Sequence, residues 1–518
     1  MKRGFTFYYD TLTLLVCVAG IALSIFLMNL GLTMLVVRLL FIGSWEEKWN
    51  NIKAQKRLLY VLLSLFAVHI IGILWTKDLN FGLEEIIRKI AFLIVPITIL
   101  AISPLNKEII KYTFFGFILA LFIGTIWGSI NFISAEYPNV RNLIPSTSHI
   151  RFSLNIVFAV LLLGKVSITH SKNLSPFMNI IIILTAIWFV IYLILTQAIT
   201  GILILSIFLL LYVPYSLAKQ NRRKLSYFIF VIYFLGILGS CWWVIYHYKQ
   251  FFTPNKIYSQ PLKAKTGLGN DYLHLTDVKL IENGNYIHVY CNYDEIKQSW
   301  KQRTGKDIGD NFEILLRYMN SISPYKDHQA FSKLNDQDIE NIKNGIANKI
   351  YTKKFSFLPR LYKIFYQFSS YELTGKIKGF SEFQRLELWR NAYDLAKDNF
   401  WIGVGTGDFV EQFALNLCER NSELCGTGLK SHNQYLNIFV LFGVFGFVIF
   451  LFWLFYPPIK TGLIHNYIYM SFLFIVLLSM LTEDTLDNLA GRMFYIFFAS
   501  IMLFNAKTIK EFTSSKLQ

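Results

Sequence analysis

The stretch SHNQYLNIFVLFGVFG, residues 431–446, sets a titratable His432 and an amide, Asn433, at the mouth of a long apolar run. Gly443 and Gly446 follow deeper in the run. On a continuous helix, at about 100° per residue, His432, Gly443 and Gly446 fall within roughly 40° of one face. That face would carry a base at the water boundary and, below it, a groove for close helix packing. A base at a membrane surface suits chemistry on a lipid-borne substrate. The same residues also suit a capped helix whose histidine merely tolerates the interface.

Other polar groups sit at the ends of apolar runs. Arg151 opens a run in STSHIRFSLN, where a charge near hydrocarbon needs a partner, a task, or room to snorkel to headgroups. Arg385 lies in FQRLELWRNAYDLAKDNFWIGVGTGDF, an amphipathic stretch that also reads as a solvated helix face. Glu483, Asp484 and Arg492 flank the last apolar run, where capping and ion pairing are the simpler roles. Gly403, Gly405 and Gly407 do not have GxGxxG spacing and read as a tight turn rather than a nucleotide loop. Together these groups have a chemical logic. A sugar leaving a lipid diphosphate builds negative charge on the departing phosphate, which guanidinium groups stabilise. The attacking hydroxyl must lose a proton, which suits a histidine.

The elements that must position these groups are membrane spans. Of 518 residues, 54% are hydrophobic and only 16% charged, with 47 phenylalanines, a composition that excludes an ordinary soluble enzyme. Apolar runs of near-spanning length predict about twelve helices, at 9–28, 29–44, 57–75, 88–104, 112–133, 151–167, 177–196, 199–216, 225–247, 434–456, 464–482 and 490–505. The fourth of these has a charged start. The first run leads straight into the second, the pattern of a retained span rather than a cleaved leader.

The net charge of +17 does not point to nucleic acid, because its distribution follows topology. Lys48, Lys53, Lys56 and Arg57, then Lys219, Arg222, Arg223 and Lys224, then Lys507, Lys510 and Lys516 fall on one side if the amino terminus is inside. Both termini are therefore expected in the cytoplasm of a multi-pass inner-membrane protein, with anionic lipid headgroups as neighbours.

Three regions follow: a membrane bundle of about nine helices over 1–247, a large extracytoplasmic domain over 248–433, and the last three helices with a short cytoplasmic tail over 434–518. The domain is expected to be mixed α/β. YLHLTDVKLIENGNYIHVYCNY alternates around an ENGN turn like a β-hairpin, while DNFEILLRYMNSI and DQDIENIKNGIANKIY carry helical spacing. Cys418 and Cys425, just before His432, are candidates for a disulfide in an oxidising compartment. No Cys/His spacing resembles a zinc site.

These residues carry a family resemblance. His432 and Asn433, nine residues, then Gly443-x-x-Gly446, resemble the signature of the bacterial O-antigen ligase and polymerase superfamily. RLELWRNAYDLAKDNFWIGVGTGDF and TEDTLDNLAGRMFY resemble two further blocks of it, and ENGNY, LLRYMNS and SHNQYL resemble a Bacteroidetes-type subgroup. The resemblance implies an all-α membrane bundle of the GT-C glycosyltransferase type and a metal-independent, cofactor-free, inverting transfer on the periplasmic face. The donor would be an undecaprenyl diphosphate-linked saccharide. The acceptor would be the lipid A core in a ligase, or the growing glycan in a polymerase. By motif, His432 takes the base role and Arg385 and Arg151 the diphosphate, with Arg141 the alternative second arginine. Arg151 and Leu154 are separated by two residues, where the family pattern has three. Asn433 would orient His432, and Glu483 would support the site. The segment at about 250–375 exceeds the usual loop of the family. A protein O-oligosaccharyltransferase shares the chemistry. A polysaccharide transporter is the reading from a different class, against which stands the gathering of polar groups on one membrane face.

Overall fold

A computed structural model describes residues 2–135, 143–144, 148–170 and 174–513. They are mostly helical, and eight helices are long and apolar enough to cross a membrane, or up to ten if two sharply bent pairs each count as one span. The expectation of twelve fails at two places. The run at 88–104 forms only the helix Ala91–Ala101, 11 residues. The run at 464–482 forms Tyr467–Ser479, 13 residues. At 1.5 Å per residue these reach about 16 and 20 Å, short of the roughly 30 Å hydrocarbon core. Hydropathy summed the apolar residues correctly, but the chain turns at Lys89, and a 3-10 turn at Leu463–His465 uses up the start of the other run.

The chain divides into two compact units, residues 1–211 with 381–518, and residues 212–380. In the first, the helices Lys2–Leu23 and Ile25–Phe41 form a hairpin locked by a buried ion pair between Asp10 and Arg38. Gly20 lets the turn close, since a Cβ there would stand 2.4 Å from the Met28 nitrogen. Ile25–Phe41 then bends by 107° into Trp45–Ala54, and Leu489–Phe504 bends by 90° into Ala506–Phe512. The core is aromatic. Phe158, Phe472, Phe494 and Phe498 pack edge-on or tilted around one another. Fully buried Trp453 lies against Tyr495, with centroids 4.5 Å apart, and donates its indole N–H to the Leu62 carbonyl at 2.9 Å. Such rings carry large buried area, and the indole finds the hydrogen bond its burial demands.

The second unit runs from Tyr212 to Phe380, not to 433. Residues 381–433 belong with the first unit because the helix Ser381–Asp398 packs on Gln434–Thr461. The expected hairpin is present but minimal: Ile281–Glu282 pairs antiparallel with Asn285–Tyr286. Its turn residues Asn283 and Gly284 both have positive φ, 57° and 73°, the geometry of a two-residue type I′ turn. Beyond an irregular stretch with isolated β-bridges over 260–292, the regular structure is helical, including Tyr293–Thr304, Phe312–Asn320, Asp336–Lys343 and Leu358–Thr374. The mixed α/β expectation is thus corrected to a helical unit with one short ladder. Side chains add to the few ladder bonds. Glu282, fully buried, takes a bidentate grip from Arg317 at 2.9 and 3.1 Å and a third bond from Asn348 at 2.7 Å.

Candidate active site

The histidine segment is shaped by its cap. Asn433 accepts from the backbone N–H groups of Tyr435 and Leu436 at 3.0 and 3.2 Å and so starts the helix at Gln434. His432 precedes the helix, in a left-handed conformation with φ 52°. That region is uncommon for a residue with a Cβ and is held here by the surrounding bonds. Ser431 Oγ accepts from the Asn433 N–H at 3.1 Å.

Asn433 caps the helix, and the group paired with the ring of His432 is Asp484, whose Oδ2 lies 3.4 Å from Nδ1. One expectation changes as a result: His432, Gly443 and Gly446 share no helical face. The histidine is outside the helix, and Gly443 breaks it with φ 60° and ψ −163°.

The break has a purpose in the fold. Interrupting the helix frees carbonyls that a loop then binds. Val404 N–H donates to the Val440 carbonyl at 2.9 Å, Gly405 N–H to Leu441 at 3.0 Å, and Val444 N–H to Phe400 at 2.8 Å. The loop carrying Gly403, Gly405 and Gly407 therefore plugs the helix. A Cβ on Gly443 would stand 2.3 Å from the Trp401 carbonyl carbon, and one on Gly403 the same distance from that of Leu441. A packed loop, not a second helix, occupies the groove expected at Gly443. Gly446 is buried in the same helix, beside Phe442. Thr406 and Asp408 extend the seam: Thr406 Oγ1 donates to the His69 carbonyl at 2.7 Å, and Asp408 accepts from the backbone of Lys77 and Asp78 at 2.9 Å.

The acidic segment after Tyr467–Ser479 is strapped to the histidine segment by Gln434. Its backbone N–H donates to the Met480 carbonyl at 2.9 Å, and its Oε1 accepts from the Leu486 N–H at 2.7 Å. This brings Asp484 and Glu483 to His432 and Asp487 to Asn437. Arg385, on the helix Ser381–Asp398, reaches Glu483 at 3.1 Å. Arg151, in the first turn of His149–His170, faces the charges of Glu483, Asp484 and Asp487. Its Nε is buried with no hydrogen-bond partner among the described residues. The structure thus gathers His432, Arg385, Arg151 and Glu483 around one acidic segment. Arg141 lies outside the described residues. The sulfurs of Cys418 and Cys425 are bonded to each other.

A second charge group, of which the sequence singled out only Arg492, adjoins the first. Asp487 holds Lys89 at 2.9 Å and Lys430 at 3.4 Å, while Arg492 donates to the Leu486 and Asp487 carbonyls. Asn437, fully buried, donates to Asp484 Oδ1 at 3.1 Å and to Asp487 Oδ2 at 3.3 Å. Lys89 did leave a signal, as the charged start of an apolar run. Asn437 left none, since an amide one turn past a cap looks like any polar residue at a helix end.

The electrostatics suit a base. The Asp484 hydrogen bond raises the pKa of His432 above the usual 6.5, against an opposing effect of burial; Glu483 raises it further and Arg385 lowers it. Burial pushes Glu483 above the usual carboxylate range although Arg385, Arg151 and His432 pull it down. Asp487 is held well below that range by Lys89 and Lys430, which overcome its burial. With Nδ1 turned to Asp484, Nε2 is left to accept a proton, and the histidine side chain is 35% exposed and reachable.

Comparison with known proteins bears on the same segment. The family model described as O-Antigen ligase matches residues 350–451, which contain Arg385, the glycine loop, His432 and the Gly443 break. Over those residues the match supports the resemblance to the O-antigen ligase and polymerase superfamily. Arg151, Glu483, Asp484 and Asp487 lie outside the match. No curated protein matches the chain.

Proposed function

We propose that this O-antigen ligase-type membrane protein moves a glycan from undecaprenyl diphosphate to a hydroxyl of the lipid A core, on the periplasmic side of the inner membrane. The observation that carries the reading is the pairing of a carboxylate-oriented His432 with Arg385 and Arg151 about one acidic segment.

In this reading His432 Nε2 takes the proton of the acceptor hydroxyl as its oxygen attacks the anomeric carbon. The bond from that carbon to the diphosphate oxygen breaks on the opposite face, so the configuration inverts. Arg385 and Arg151 bind the departing diphosphate and offset the charge that builds on it. Asp484 holds the ring and stabilises the imidazolium formed. Glu483 holds Arg385 until a diphosphate competes for it. Polymerisation of the lipid-linked glycan uses the same steps with a different acceptor.

The test is deletion with complementation. Wild-type protein should restore glycan on the lipid A core, and His432→Ala at equal protein level should not. Long chains left on undecaprenyl diphosphate by the deletion support ligation, whereas single repeats on the lipid A core support polymerisation. Full transfer by His432→Ala sinks the base assignment.

A further inference from the structure

We infer that Asn437 is a positioning residue for the transfer, fixing Asp484 so that it can orient His432. The inference rests on the reading of His432 as the base. Asn437 is fully buried on the first turns of its helix, and each of its polar atoms is committed. Oδ1 accepts from Ser431 Oγ at 2.5 Å, and Nδ2 bridges Asp484 Oδ1 at 3.1 Å and Asp487 Oδ2 at 3.3 Å. One amide thus stands between two carboxylates with different work. Asp487 is engaged by Lys89 and Lys430. Asp484 has Oδ1 on Asn437 and Oδ2 turned to His432 Nδ1.

The chemistry explains why an amide is required. A carboxylate here would add a third negative charge, and an apolar side chain would leave Asp484 Oδ1 without its donor. Asp484 would then be free to turn toward the cations that face it, Arg151 and Lys430. The charged groups facing His432 itself are Asp484 and Glu483 from the acidic segment and Arg385 from the helix Ser381–Asp398. Among the described residues Asp484 is the carboxylate within ion-pair distance of the ring, so its position bears on both the orientation and the basicity of the histidine. Ser431 closes the loop. Its hydroxyl takes the Asn433 N–H and gives its proton to Asn437, so the cap and the amide are set together.

The experiment is a double-mutant cycle on full-length protein in proteoliposomes with lipid-linked donor and acceptor. Asn437→Ala should lower kcat by about tenfold, less than the roughly 10²–10⁴-fold that an acid–base group itself contributes, with the donor KM unchanged. Its acid limb should move to lower pH, because His432 loses the partner that raises its pKa. Asp484→Asn should do the same, and the double variant should be no worse than Asp484→Asn alone, since coupled sites are not additive. Asn437→Ser, which keeps one donor, should fall between Ala and wild type, and carries the test if Asn437→Ala does not accumulate. Effects of Asn437→Ala and Asp484→Asn that multiply, or an acid limb that does not move, overturn the inference. His432→Ala run alongside separates the failures. Full transfer by that variant overturns the base reading and this link with it. Loss of transfer with independent Asn437 and Asp484 effects overturns the link alone.

Discussion

His432 Nδ1 faces Asp484 Oδ2 at 3.4 Å, across a segment boundary of more than fifty residues that Gln434 straps shut. The pair decides the sign of the pH dependence. In the proposed reading His432 works in its neutral form, and the pairing with Asp484 raises its pKa above 6.5. Transfer rate should therefore rise with pH, with a midpoint above 6.5. Asp484→Asn should move that midpoint down, toward the ordinary histidine value, while lowering the plateau. A pH–kcat/KM profile measured on both proteins checks it; a midpoint that climbs in Asp484→Asn contradicts it.

Gly443 has φ 60° and ψ −163°, a region essentially reserved for glycine. A Cβ there also meets the Trp401 carbonyl. Gly443→Ala should cost more than the usual ~1 kcal/mol of a point substitution and unseat the Gly403–Gly407 loop. Gly164→Ala is the control: that glycine is helical and its added Cβ meets nothing within 4 Å. Thermal melts in detergent should show a clear drop for Gly443→Ala and none for Gly164→Ala.

What was legible in the chain follows from contrast. In a sequence this apolar, His432, Arg151 and Glu483 stand out because each polar group at the end of an apolar run needs a reason, whereas Arg385 stands out only through its motif. What was not legible depends on long-range pairing or on backbone angles. Lys89 and Asp487 are 398 residues apart, and no local pattern announces their contact. The Gly443 break is invisible to periodicity, which counts residues as though φ were uniform. That assumption put His432 and Gly443 on one face. The run at 88–104 misled for a related reason, since hydropathy sums over a turn as readily as over a helix.

Asp487 is what keeps Lys89 inside. The lysine side chain is only 3% exposed, and Asp487 is its one carboxylate partner among the described residues. Removing one member of a buried pair strands the other charge, at about 3–5 kcal/mol. Asp487→Asn should therefore lower the melting temperature sharply. Lys89→Met with Asp487→Asn, which removes both charges, should recover part of that loss. A double variant no more stable than Asp487→Asn argues that the pair is not the source.

Arg385 is 34% exposed and already paired with Glu483, so in the proposed reading a diphosphate has to compete for a guanidinium that is oriented but not sequestered. Lysine retains the charge but not the two-pronged geometry that matches phosphate oxygens. Arg385→Lys should lower kcat/KM for the lipid-linked donor by about tenfold to a hundredfold, the equivalent of one lost charge-assisted hydrogen bond at ~1.5–3 kcal/mol. Arg385→Ala should lose more, and Glu483→Gln should lower the donor KM, because the competing carboxylate is gone. Initial rates at varied donor concentration read all three. A wild-type donor dependence in Arg385→Ala would take the arginine out of the diphosphate site and leave it a structural partner of Glu483.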